Sequence, residues 1–202
     1  MQSKKILVGI SGGIGSGKSI ASKYFVSHGY KVIYADKVAK DLYRTNKQLK
    51  NRLVKEFGKG ILDENGNIAG AEARKIILSG KRNIKRVNQI VHPFVRKEIN
   101  KIISRIQDKI IFIEAAIMFD TGYYKKMDYT LLIYAPKQLR VKRVQQRDKF
   151  SKRKIGGLMN LQMDERKKRQ LADFVVRNDG TKQMLYKGLN NFLDILLSFS
   201  AL

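Results

Sequence analysis

An α/β domain built on a parallel sheet is the fold class this sequence predicts, and three observations predict it. Short, near-continuous apolar runs recur along the chain without the alternation of a half-exposed strand, and segments with helical spacing separate them. The first of these runs ends in a glycine-rich turn that leads directly into a helical pattern. The length, 202 residues, suits one compact domain with room for a small appended subdomain.

The elements follow in order. Lys5 to Ile10 reads as a strand buried on both faces, and Ser11 to Gly17 carries four glycines where the chain must turn tightly. A helix is expected from about Lys18 to His28, with Ile20, Ala21, Tyr24 and Phe25 facing inward and Gly29 as its stop. Val32 and Ile33 open a second strand that ends at Asp36. From Val38 to about Ser104 the spacing is mainly helical, broken at Phe57-Gly58-Lys59-Gly60 and at the turn cluster Asp63-Glu64-Asn65-Gly66-Asn67. Ile84, Val87, Ile90, Val91, Phe94, Val95, Ile99, Ile102, Ile103 and Ile106 recur at three and four and mark one apolar face of a long helical region, which Pro93 is expected to kink or restart. Ile110 to Ile113 forms a third strand ending at Glu114, and Tyr129 to Tyr134 a fourth, closed by Pro136 at the start of a helix through about Arg147. Lys149 to Gly157 is basic and contains glycine, so it reads as a mobile loop ahead of a further helix to about Leu171. Phe174 to Val176 is the last strand, Asn178-Asp179-Gly180 turns, and Thr181 caps a final helix to about Leu197. The helix-only middle, residues 39–107, reads as an appended subdomain, with 1–38 and 108–202 forming the sheet-bearing core.

Composition narrows the chemistry. The absence of cysteine excludes a disulfide scaffold, an iron–sulfur centre, a thiolate zinc site and a cysteine nucleophile, and two histidines exclude an all-histidine metal centre. No run approaches the ~18 apolar residues of a membrane helix, and the first residues lack the pattern of a signal peptide, so the expectation is a cytoplasmic protein without membrane contact. Lys and Arg total 42 against 17 Asp and Glu, a formal net charge of +25. Such a field attracts polyanions in general. The basic residues are spread along the chain and are not interleaved with aromatic stacking groups, which argues against nucleic acid as the partner.

Gly12-Gly13-Ile14-Gly15-Ser16-Gly17-Lys18-Ser19 satisfies G-x-x-x-x-G-K-[ST] between an expected buried strand and an expected helix, the context that gives this motif its meaning. Glycines let successive backbone N–H groups turn inward around phosphates, and the helix amino terminus adds positive potential. Lys18 is expected to reach the β- and γ-phosphates of a nucleotide and the Ser19 hydroxyl to ligate Mg²⁺.

With that loop in place, the ordered landmarks of the chain resemble bacterial dephospho-coenzyme A kinases. They are Ser11 to Ser19, Val32-Ile33-Tyr34-Ala35-Asp36, Val91-His92-Pro93, Glu114 to Asp120, Arg143 to Asp148, Gln162 with Ala172-Asp173, and Asn178-Asp179-Gly180. The resemblance implies a P-loop kinase with a five-stranded parallel core, a helical substrate subdomain and a lid at 149–157. It implies transfer of the γ-phosphate of ATP to the ribose 3′-hydroxyl of dephospho-CoA, with ATP and Mg²⁺ as cofactors. The chain departs from the family's usual pattern in three motifs. Tyr34 stands where an aspartate is common, Ile20 replaces a threonine, and Glu114 and Asp120 exchange acid types across a motif that has lost its proline.

The resemblance also assigns roles. Asp36 becomes the carboxylate that orients the acceptor hydroxyl and takes its proton, against a bland role as a helix cap. Glu114 takes a metal-holding place at a strand end. Arg143 and Arg147, four apart on one helical face, are expected to contact nucleotide and transition state, the alternative being a solvated face. Gly13, Ile14, Gly15, Ser16, Gly17, Lys18, Ser19, Ile20 and Asn178 complete the expected nucleotide contacts. His92 with Pro93 reads as a break that shapes the substrate subdomain or, alternatively, as an acceptor contact, while Arg74 and Asp120 are expected to meet the acceptor, with Arg96 as a further anion contact. Two other readings stay open at this point: another small-molecule P-loop kinase of the nucleoside monophosphate type, and a basic nucleic-acid-binding ATPase. Oligomeric state has no signature in the sequence.

Overall fold

The computed structural model describes residues 4–68, 70, 76 and 80–200. In chain order the elements are β1 (Ile6–Ser11), α1 (Lys18–Ser27), β2 (Lys31–Tyr34), α2 (Ala35–Thr45), α3 (Lys47–Phe57), α4 (Lys81–Arg105), β3 (Ile110–Glu114) and β4 (Tyr129–Tyr134). After them come α5 (Lys137–Asp148), α6 (Lys152–Asn160), α7 (Glu165–Leu171), β5 (Phe174–Arg177) and α8 (Lys182–Ser200). The chain separates into two compact units, Met1–Ile33 with Asp108–Leu202, and Tyr34–Gln107. Among the described residues no helix is long and apolar enough to cross a membrane.

In the first unit the five-stranded sheet has the order β2-β3-β1-β4-β5, with β1 at its centre and parallel to β3 and β4. Register places Ile10 opposite Glu114, Ser11 opposite Leu132, and Tyr134 opposite Arg177. The carboxyl ends of these strands therefore share one edge, where ligands bind in open α/β sheets. Val8, Ile10, Phe112, Leu131 and Ile133 point to one face and are covered by Ala21, Tyr24 and Phe25 of α1 and by Leu185, Leu189, Phe192 and Leu196 of α8. Phe25 stacks on Phe112 with ring centroids 4.2 Å apart. Burying each such ring contributes about 1.5–3 kcal/mol. Ile111, Ile113 and Leu132 fill the other face and are fully buried. This double burial explains why the strands read as continuous apolar runs.

Several expectations are corrected. The inner face of α1 is Ala21, Ser22, Tyr24 and Phe25, whereas Ile20 is exposed. At 100° per residue Ile20 sits roughly 140° round from Phe25, too far to reach the sheet. Strand β2 ends at Tyr34, so Asp36 lies in the first turn of α2 and not at a strand end. A carboxylate is favourable there, beside the positive end of the helix, and Ala35, Val38 and Leu42 supply the stripe that holds the helix down. The Lys149–Gly157 segment is not a loop: Ser151 accepts from the Lys154 N–H and starts α6, whose Ile155 and Met159 pack against Val144 of α5.

The second unit holds α2, α3 and α4, with Leu42, Leu49, Leu53, Val87, Val91, Val95 and Ile99 buried. The Asn46 side chain caps α3 by accepting from the Leu49 N–H at 2.9 Å. Helix α4 runs through Pro93 without the expected restart. Its buried positions recur every four residues, while Pro93 and Gln89 are exposed. The carbonyl that loses its helical donor is thus on the water side, where solvent can satisfy it.

Candidate active site

The segment from Gly12 to Gly17 leaves the end of β1 and returns into α1. Gly15 and Gly17 have φ of +78° and +97°, in the left-handed region that residues with a Cβ rarely adopt. The Ser16 N–H donates to the Gly13 carbonyl at 3.0 Å, which closes the turn. No side chain caps the amino terminus of α1, whose Ile20 and Ala21 N–H groups donate to the Gly17 carbonyl, and the positive end of the helix faces the turn. Lys18, the first residue of that helix, is half-buried, and Ser19 is exposed beside it. The Ser16 hydroxyl is buried with no hydrogen-bond partner among the described residues, as expected for a group that awaits a ligand oxygen.

The turn is held from three sides. Asn178, just past β5, donates its side-chain amide to the Ser16 carbonyl at 2.7 Å. Arg143 on α5 donates to the Asn178 carbonyl at 2.9 Å and to its Oδ1 at 3.4 Å. The Ile14 N–H donates to Gln162 Oε1 at 3.0 Å. A Cβ on Gly13 would collide with Arg140 Nη1 and lie 2.5 Å from Glu165 Oε1, and one on Gly15 would lie 2.6 Å from the Arg140 carbonyl. Gly13→Ala is accordingly expected to cost about 1–3 kcal/mol in a denaturant titration and to weaken ADP binding measured calorimetrically. An unchanged midpoint and affinity would contradict the tight seating of the loop on α5.

Glu114 closes β3 one strand away, half-buried, and Ser22 Oγ of α1 donates to its Oε2 at 2.6 Å. One carboxylate oxygen is thereby fixed and the other left for a further partner. Arg147 lies one turn beyond Arg143 but is exposed, and its guanidinium bonds the neighbouring Asp148 at 2.8 and 2.7 Å. That hydrogen bond holds the Asp148 carboxyl below the usual range and raises Arg147. Asp120 accepts from the Met163 N–H, which ties down the connection between α6 and α7. Hydrogen bonds thus join Gly13, Ser16, Asn178 and Arg143 into one group, with Ile14 held by Gln162, and leave Arg147 outside it.

In the second unit Asp36 is exposed and makes no hydrogen bond or ion pair among the described residues, and the N-cap position of α2 belongs to Tyr34. Its expected alternative as a helix cap therefore fails. His92 is half-buried on α4; burial, and secondarily the Arg96 cation, lower its pKa, so the imidazole is neutral at pH 7. Arg74 lies outside the described residues. Sequence reasoning missed Ser22, Arg140, Glu165 and Lys168 altogether and had Gln162 only as a landmark. No motif marks them, because their roles arise from packing between elements distant in sequence.

Comparison with known proteins now decides the family. A family model described as dephospho-CoA kinase matches residues 6–183, a span that contains every group just described. The chain belongs to the dephospho-CoA kinase family. The dephospho-CoA kinase of Fusobacterium nucleatum is 30% identical over 191 residues, covering 95% of this chain and 98% of that protein. Among solved structures, a Thermus thermophilus protein superposes with a TM-score of 0.84 at 30% identity over 96% of this chain and 99% of its own. The dephospho-CoA kinase from Campylobacter jejuni gives 0.67 at 26% identity, over 94% and 96%. The sheet order and phosphate-loop context described above are thus those of an ATP-dependent kinase of the dephospho-CoA kinase family.

Proposed function

We propose that this kinase transfers the γ-phosphate of ATP to the ribose 3′-hydroxyl of dephospho-CoA, with Lys18, Asp36 and Arg143 at the chemistry. The observation that supports the reading most is the cradle from Gly12 to Ser19, which pairs two left-handed glycines with a helix terminus that has no side-chain cap and a buried hydroxyl unpartnered among the described residues. Amides of that cradle bind the phosphates, and Lys18 stabilises charge that grows on the β–γ bridge as it breaks. The acceptor oxygen bonds to the γ-phosphorus, the bond to the bridging oxygen breaks, ADP leaves, and the hydroxyl proton passes to the Asp36 carboxylate. Asp36 has no competing partner among the described residues, so its lone pairs are available for that proton. Arg143, braced by Asn178, is assigned to the transferring group, and Arg147 and Asn178 are assigned to the rest of the nucleotide, Arg147 on leaving its ion pair with Asp148.

Ser19 and Glu114 would hold Mg²⁺. Among the described residues no three acids or histidines cluster as an all-protein metal cage. One hydroxyl and one carboxylate suit an ion that draws its other ligands from phosphate and water. Bound there, it would neutralise charge on the β- and γ-oxygens. His92, Arg74 and Asp120 are assigned to the acceptor, and residues 149–157 to a lid that excludes water, which competes with the ribose hydroxyl. Cytoplasmic work on small molecules, with the surplus positive charge drawing in polyanionic substrates, fits this reading better than nucleic-acid binding.

The test is ADP release with ATP·Mg²⁺ and either dephospho-CoA or its 3′-deoxyribose analogue. Turnover with the first and none with the second is expected. Equal ADP release with both would mean ATP hydrolysis and would remove the acceptor assignment.

A further inference from the structure

Beneath the phosphate loop lies a charged cluster that the proposed chemistry does not use. Arg140 projects from α5, and Glu165 and Lys168 from consecutive turns of α7. Their side chains are 6%, 18% and 0% exposed. Glu165 Oε1 accepts from Arg140 Nη1 at 3.5 Å and from Lys168 Nζ at 3.1 Å. Two cations thus share one carboxylate, which leaves one positive charge in excess inside the protein. The cluster is also under-satisfied: Arg140 Nε and Glu165 Oε2 are buried without a hydrogen-bond partner among the described residues. Among the described residues the three N–H donors of Lys168 have the one Glu165 acceptor.

Such an arrangement is unfavourable for the empty protein, since buried ions lose hydration and a neutral apolar set of similar volume is often at least as stable. Its location suggests what offsets the cost. Gly13 lies directly on the cluster, too close to Arg140 Nη1 and Glu165 Oε1 to admit a Cβ. The loop's phosphate-facing backbone is therefore only one residue's thickness from the excess charge.

We propose that Arg140, Glu165 and Lys168 are positioning residues that form a buried, positively biased backing for the phosphate loop, the excess charge being met by the phosphates of the bound nucleotide. The backing acts through the loop and through the field, and touches neither reacting atom. Because it is buried, salt screens it far less than it screens the exposed lysines. The proposal rests on the reading of Gly12 to Ser19 as the nucleotide site.

Two substitutions of opposite electrostatic sign test it, with ADP affinity measured calorimetrically and thermal unfolding measured with and without ADP. Lys168→Met removes the excess charge: ADP should bind on the order of tenfold more weakly, while the empty protein melts no lower than the parent. Lys168→Arg keeps the charge and should restore affinity to within about threefold. Glu165→Gln removes the counter-charge that Arg140 and Lys168 share: the empty protein should melt lower, and ADP should bind more tightly and raise the melting temperature by more than it does in the parent. A purely structural cluster predicts lower melting temperatures in both variants and affinities that move together. Shifts of the same sign, or Lys168→Met affinity within twofold of a parent that does bind ADP, would overturn the backing. A parent that bound no ADP would overturn the nucleotide-site reading itself.

Discussion

Lys18→Ala is expected to lower phosphoryl transfer by on the order of 10²–10³ or more, the usual consequence of removing a preorganised group that meets developing charge. The fold should persist, because Lys18 opens α1 and the buried face of that helix is Ala21, Ser22, Tyr24 and Phe25. Far-UV circular dichroism and the thermal midpoint should stay near those of the parent. Near-normal turnover in a folded variant would take the phosphates away from the segment between β1 and α1.

Asp36→Asn has the second large effect. The amide keeps the size of the side chain but cannot take a proton, and general-base contributions are typically worth ~10²–10⁴ in rate. Turnover should fall into that range while ATP affinity remains within a few-fold, since the proposed phosphate site is the first unit's loop. Little stability should be lost, because Asp36 is exposed and makes no hydrogen bond among the described residues. Tyr34 stands where a second carboxylate is common in the family, so no neighbour in this stretch can replace Asp36. Turnover within threefold of the parent would move the base to Glu114 or Asp120.

The parts of this site legible from the sequence are those written in local chemistry. The phosphate loop is a contiguous motif whose flanking strand and helix are forced by apolar spacing, and β4 runs from Tyr129 to Tyr134 as its composition demands. Helix α6 was hidden because Lys152 to Lys154 and Gly156-Gly157 look like loop, yet Ile155 and Met159, one turn apart, acquire a buried partner in Val144 only after α5 is in place. The same limit applies to charge. Nothing in Arg166-Lys167-Lys168-Arg169 distinguishes the fully buried Lys168 from its exposed neighbours except the position of Glu165 and the loop above it. Arg143 and Arg147 likewise look equivalent on a helical wheel, and only the Asn178 turn separates them. Helix α2 claimed Asp36 one turn earlier than a strand-end reading allows, because Ala35, Val38 and Leu42 already complete a buried stripe.

The most direct measurement of the central claim is product analysis after incubation with ATP·Mg²⁺ and a panel of acceptors, comprising dephospho-CoA, nucleoside monophosphates and single-stranded RNA. The account predicts that ADP forms in quantity with dephospho-CoA alone, and that phosphorus NMR of the product shows a new monoester on the ribose 3′-oxygen in equal amount. Faster ADP release with a nucleoside monophosphate or with RNA, or a new phosphate at any other oxygen of dephospho-CoA, would contradict it.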